Sequence, residues 1–316
     1  MHTVKTLVWA ALAAAPGAVL AAPLYQQDFE VDSSASWIVN KGPATTDEAH
    51  DFFFDYSTVG IPAAPSGAGT RGVKLQANQS SGVFGGMSVS PMGQSFAGDY
   101  EVTFDWWENF NGPFPVGGSG STQLGTFGLD TSGTVAQWPG GTQDSIWFGA
   151  TGDGNSSSDW RAYSPTAPTR YTDTAAGIYA AGAVAGSSNG SNAYYSSFGN
   201  VAAPAAQSAL FPQQSGNTLV GSAGMEWHRV SIKKQGGSVT WTVDGILIAT
   251  VPVGDDTALT GNNIFFGRSD TNATSSTDVN DVNLLFTLID NVVVTPEPAS
   301  LALLAMGGLA LRCRRR

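Results

Sequence analysis

The chain has almost no cysteine. Its single thiol, Cys313, stands in the last four of 316 residues. Everything before it is therefore without disulfides, thiolate metal sites or a cysteine nucleophile. A chain of this length has to hold itself together with a packed core instead. Charge is scarce as well: Asp, Glu, Lys and Arg make up only 12% of the residues, too few for a coiled coil or long solvent-facing helices. Basic charge is scarcest, with 14 Lys and Arg against 25 Asp and Glu. Five of those 14 sit at the two ends, as Lys5, Arg312, Arg314, Arg315 and Arg316. Setting them aside leaves nine basic side chains and a net charge of −16. Such a surface repels phosphate backbones and anionic lipid, which argues against nucleic acid as a partner. Histidine is down to three residues, and neither a zinc spacing nor a phosphate-binding glycine loop occurs. What is abundant is glycine (39), proline (16) and apolar residues (42%). This composition is too hydrophobic for disorder and favours strands joined by tight turns.

The two ends read as addresses. In residues 1–21, Lys5 gives a positive start, Leu7 to Ala15 form a short apolar run, and Pro16 and Gly17 break it. Val19-Leu20-Ala21 then offers a cleavage site for signal peptidase after Ala21. At the other end, Thr295-Pro296-Glu297-Pro298 precedes an apolar run from Ala299 to Leu311 and the arginines 312 and 314–316. As a helix that run would span about 20 Å, short of the ~30 Å bilayer core. It suits a transient membrane contact, with the arginines kept on the cytoplasmic side. Pro296, Glu297 and Pro298, the adjacent apolar run and the terminal Arg312, Arg314, Arg315 and Arg316 resemble the PEP-CTERM sorting signal. The resemblance implies recognition by an exosortase and delivery to the surface or matrix of a Gram-negative-type envelope. It also implies a bacterium that makes extracellular polysaccharide or biofilm.

Between these ends, residues 22–294 read as one all-β domain. Strand patterns at Val73–Ala77, Gly82–Ser90 and Tyr100–Trp107 are divided by Gly, Pro, Asn and Ser clusters. In Val239-Thr240-Trp241-Thr242-Val243 apolar and polar residues alternate, so one face is buried and the other is wet. Asp244-Gly245 supplies a two-residue type I′ turn into Ile246–Val251. His228–Lys233 and the Gln235-Gly236-Gly237 turn complete a three-stranded meander. Trp227-His228, the alternating strand and Val243-Asp244-Gly245 resemble the concanavalin A-like, laminin-G-like jelly rolls. Asp28-Phe29-Glu30 near the start and Ile289-Asp290-Asn291-Val292 near the end fit the same pattern. The resemblance implies an antiparallel β-sandwich with its first and last strands side by side, flanked by a leader helix and a short C-terminal helix. Residues 175–216, rich in Ala, Gly, Ser and Asn with interspersed Tyr and Phe, read as a long insertion over the sandwich.

Candidate chemistry is thin. Glu101, Asp105 and Glu108 mimic the acidic strand of sandwich glycosidases. At ~3.3 Å per residue, however, Glu101 and Asp105 stand about 13 Å apart, against ~5–9.5 Å for working glycosidase pairs. A solvent-facing acidic edge accounts for them. Gly186-Ser187-Ser188-Asn189-Gly190 fits the nucleophile-elbow expression without its strand-turn-helix setting. His228 reads as a packed histidine at a strand end. His50, among Asp47, Glu48, Asp51 and Asp55, reads as part of an exposed acidic loop. No cofactor is required. Calcium is the ion with a candidate ligand set: Asp153, Asn155 and Asp159 alternate in one loop, and Asp270, Asn272 and Asp278 lie in a second with Asn280 and Asp281. Trp107, Trp138 and Trp160, at strand ends or in loops, are the indoles expected to stack on a sugar ring. The sequence thus predicts an exported, non-catalytic sandwich binding extracellular polysaccharide or matrix protein. A polysaccharide-acting glycosidase or lyase and a purely structural matrix protein are the alternatives.

Overall fold

The computed structural model describes residues 22–42, 48–77, 85–115, 123–254, 259, 261–270 and 279–297. The leader with Ala21, both expected terminal helices, Pro298 and the arginine tail, and Asn272 and Asp278 lie outside the described residues.

Fourteen strands and two short helices are described: β1 (Tyr25–Gln27), β2 (Trp37–Lys41), β3 (Ala49–Asp55), β4 (Arg71–Gln76), β5 (Gly86–Pro91), β6 (Tyr100–Asn109), β7 (Gln123–Thr131), β8 (Ile146–Thr151), β9 (Trp160–Tyr163), α1 (Ala205–Leu210), β10 (Trp227–Gln235), β11 (Ser238–Val243), β12 (Ile246–Pro252), β13 (Asn263–Asp270), α2 (Val279–Leu284) and β14 (Phe286–Pro296). They form two antiparallel sheets. The first runs β12-β11-β10-β6-β14-β4-β3, with β1 also paired to β14. The second runs β2-β5-β13-β7-β8-β9. The first and last strands do lie side by side, Gln26 opposite Val293.

The period-2 alternation sets the core. Phe104 and Trp106 of β6, Val230 and Ile232 of β10, and Val239, Trp241 and Val243 of β11 point inward. They meet Phe127, Phe148 and Phe266 of the second sheet edge to face or stacked, as aromatic quadrupoles favour. The β11–β12 turn has Asp244 at φ 51° and Gly245 at φ 79°, the two left-handed residues of a type I′ hairpin. Asp244 accepts from His228 Nδ1 and from the Arg229 N–H, both at 2.7 Å, so its side chain also ties the turn to β10.

Residues 175–216 carry α1 and three aromatics that enter the fold. Tyr195 and Phe198 pack on Trp160, and Tyr179 bridges to Ala249. The Tyr179 bridge covers the β12 edge, which would otherwise offer unpaired backbone groups to another chain. A second apolar layer forms on the far side of the first sheet. There Tyr56, Trp107, Phe110, Met225, Phe286 and Leu288 are buried together.

Candidate functional site

Of the three indoles expected to meet a ligand, Trp138 alone is not fully buried; it lies in the loop between β7 and β8. The loop is fixed by buried polar groups. Asp144 accepts from Thr131 Oγ1 (2.8 Å), the Ser132 N–H (2.9 Å) and Gln137 Nε2 (2.8 Å). Gln137 Oε1 in turn accepts from Ser145 Oγ at 2.5 Å. Gln143 clamps the base of the loop. It donates to the carbonyls of Trp138 (3.1 Å) and Pro168 (2.6 Å) and accepts from Trp147 Nε1 (2.9 Å). A satisfied buried network of this kind rigidifies the segment that carries it. Trp138 itself is half-buried. It forms one wall of a shallow groove of about 540 Å³ whose other walls include Lys41, Gly42, Gly140 and Gly141. A side chain at Gly141 would collide with the indole, and one at Gly86 would come within 2.8 Å of Trp138 Cβ. On the same outer face of the second sheet, Thr126 Oγ1 and Ser269 Oγ are buried with no hydrogen-bond partner.

The other two predicted indoles are corrected. Trp160 is fully buried, donates to the Gly221 carbonyl at 3.1 Å and lies between Tyr195 and Trp241. Trp107 is 1% exposed, donates to Asn109 Oδ1 at 3.1 Å and packs against Trp227. Neither offers a face to solvent. Sequence reasoning missed that residues 175–216 cover β9 and that a second apolar layer covers Trp107. The signal available was the aromatic content of the insertion.

The expectation of a solvent-facing acidic edge on β6 is also corrected. Glu108 is fully buried between the sheets. It pairs with the Arg268 guanidinium and accepts from Thr287 Oγ1 (2.6 Å) and Trp106 Nε1 (2.8 Å). Burial pushes its pKa up, against the opposing pull of Arg268. Asp105 is buried on the outer face. It accepts from the Ser66 N–H and Oγ, Asn291 Nδ2 and Arg229 Nη1 at 2.7–3.2 Å. Glu101 accepts from Ser231 Oγ. The three acids therefore do not converge on one cleft.

Beside Asp105, in register on β14, lies Asp290. Burial, with the negative charges of Asp105 and Glu30, raises its pKa to about 7 although Tyr56 Oη donates to it at 2.9 Å. Arg229 and Asn291, which donate to Asp105, help line a polar pocket of about 310 Å³ together with Gln26 and Asp28. Asn291 holds a left-handed φ of 51° at the bulge of β14.

The calcium set in the first loop does not fit a metal. Asp159 is occupied by protein donors: Thr151 Oγ1 at 2.8 Å, the Ser156 N–H at 3.0 Å and the Gly190 N–H at 2.7 Å. Asp153 and Asn155 form a local Asx turn. Asp270 ends β13, and its loop partners Asn272 and Asp278 lie outside the described residues. Among the described residues, no three His, Cys, Asp or Glu side chains are grouped closely enough to hold a metal ion. Ser188 is fully buried and donates to Asp173 at 2.5 Å, so it is no exposed nucleophile. His50 is exposed and edge-on to Phe52.

At the C-terminal limit, β14 runs directly into Pro296, opposite Tyr100. Glu297 follows and is 2% exposed. Lys233 Nζ lies 2.8 Å from its carboxylate, and its backbone N–H donates to the Asp99 carbonyl at 3.2 Å.

Residues 294–316 match the PEP-CTERM protein-sorting motif. The motif indicates an exported, envelope-sorted protein and implies processing by an exosortase. No curated protein sequence matches the chain. Several solved structures are similar. A Bacillus subtilis protein of unknown function with a galectin-like fold is 11% identical, with a TM-score of 0.46 over 88% of this chain and 97% of that one. The exoplasmic/lumenal domain of VIP36, bound to Ca2+ and Man3GlcNAc, is 9% identical, with a TM-score of 0.42 over 84% and 85%. A laminarinase from Flavobacterium sp. UMI-01 is 11% identical, with a TM-score of 0.39 over 87% and 100%.

Proposed function

We propose that the chain is a non-catalytic carbohydrate-binding sandwich, exported and sorted to the surface or matrix of a Gram-negative-type envelope, which holds an uncharged extracellular glycan or glycosylated matrix component. One observation carries this reading: Trp138, an accessible indole on a loop locked by buried hydrogen bonds, walls a groove among glycines. A flat aromatic face suits the C–H face of a sugar, and rigidity in advance of binding limits the entropy lost. The acidic body disfavours anionic polysaccharide. Tail removal by an exosortase completes delivery. The reading needs no cofactor. Calcium on the second acidic loop, at Asp270, Asn272 and Asp278, would raise the melting temperature, and an unchanged melt with EDTA and with millimolar calcium removes it.

The test is a glycan array probed with the full chain and with Trp138→Ala. Binding of neutral glycans by the parent but not the variant supports the reading. Binding unchanged in the variant overturns the assigned groove. A silent array favours the purely structural alternative.

A further inference from the structure

We propose that the sandwich itself restrains the sorting motif, and that Lys233 sets how fast the tail is processed. This rests on the exosortase reading of residues 294–316. The Glu of Pro-Glu-Pro does not hang free. Glu297 is 2% exposed, ion-paired to Lys233 Nζ at 2.8 Å, within 3.3 Å of Gln235 Nε2, and hydrogen-bonded through its backbone to Asp99. The two residues before it are still in a sheet, Thr295 opposite Glu101 and Pro296 opposite Tyr100.

Enzymes that cut or transfer peptides generally take them as extended segments whose backbone and side chains they engage themselves. Here both are already in use. Recognition of the motif therefore requires the last residues of β14 to leave β6 and Glu297 to leave Lys233. Processing breaks a peptide bond at the motif: its carbonyl carbon passes to water or an acceptor amine, and the released nitrogen takes that nucleophile's proton. The latch precedes this step and changes only the fraction of chains open to it. Lys233 and Gln235 lie on β10, and Gln235 is 62 residues before Glu297, so the restraint exists only once the sheet has formed. The folded body then holds Glu297 in the closed state.

The experiment is a pulse-chase of the full chain in a cell with an exosortase, following loss of the tail by mass. The parent is compared with Lys233→Met, Lys233→Glu and Gln235→Ala, and the melting temperature of each is recorded. Lys233 is about one-third exposed, so its replacement leaves the fold intact. Removing a partly exposed ion pair is expected to raise the processing rate about fivefold in Lys233→Met. Lys233→Glu, which repels Glu297, is expected to be faster still. If the parent is processed and all variants match its rate, the latch is overturned while the sorting reading stands. If the parent is never processed, both fall. A faster Lys233→Met whose melting temperature equals the parent's supports the latch, because general destabilisation is then absent.

Discussion

Replacing Arg268 by Met isolates an ion pair that crosses between the two sheets with both members buried. Arg268 on β13 is 1% exposed and Glu108 on β6 is fully buried, so neither can turn to water when its partner is lost. In the variant Glu108 keeps only Thr287 Oγ1 and Trp106 Nε1 as donors. Stranding one member of a buried pair costs about 3–5 kcal/mol. At roughly 2–4 °C per kcal/mol for a domain of this size, the melting temperature should fall by about 10 °C. The pH dependence separates this cause from loss of packing. Burial already raises the Glu108 pKa and Arg268 opposes that rise. Without Arg268 the carboxyl therefore takes up a proton more readily in the folded state. The deficit should accordingly shrink at pH 5 relative to pH 8, and Glu108→Leu combined with Arg268→Met should recover most of the loss. Urea unfolding at both pH values measures it. A deficit under about 1 kcal/mol, or one equal at pH 5 and pH 8, refutes the reasoning.

Asp290 gives a second pH signature. Its folded pKa is raised to about 7 from an ordinary 3.8, so its contribution is complete below pH ~4 and is lost as pH rises through ~7. It is worth up to about 4 kcal/mol, and an Asp290→Asn variant should show a flatter urea-stability profile over that window. Gly245→Ala should cost about 1 kcal/mol by urea unfolding, because φ is 79° there and no atom lies within 4 Å of the new methyl. Intact-mass analysis of surface-extracted protein should find Pro296–Arg316 absent.

The meander was legible because each of its residues sees the same local rule. Alternation from Val239 to Val243 and the Asp244-Gly245 pair fix strand, face and turn together, and the register Val243 opposite Ile246 follows. Trp138 was legible as a loop indole, since loop position is a local property. The environments of Trp160, Trp107 and Glu108 were not. Trp160 is covered by Tyr195 and Phe198, more than 30 residues away, and Glu108 is neutralised by Arg268, 160 residues away. Alternation does place Glu108 on the Phe104 and Trp106 side of β6, but only the partner sheet reveals that a guanidinium waits there. The Lys233–Glu297 contact was hidden for the same reason, because the motif reads as a detached tail until β14 is seen to run into it.

Oxidative footprinting of tryptophan, with and without a neutral glycan that the chain binds, reports whether the Trp138 groove holds the sugar. Trp138 should be oxidised in the free protein and protected at saturating glycan, while Trp107 and Trp160 resist oxidation in both states. Oxidation of Trp138 that is unchanged by bound glycan would contradict it.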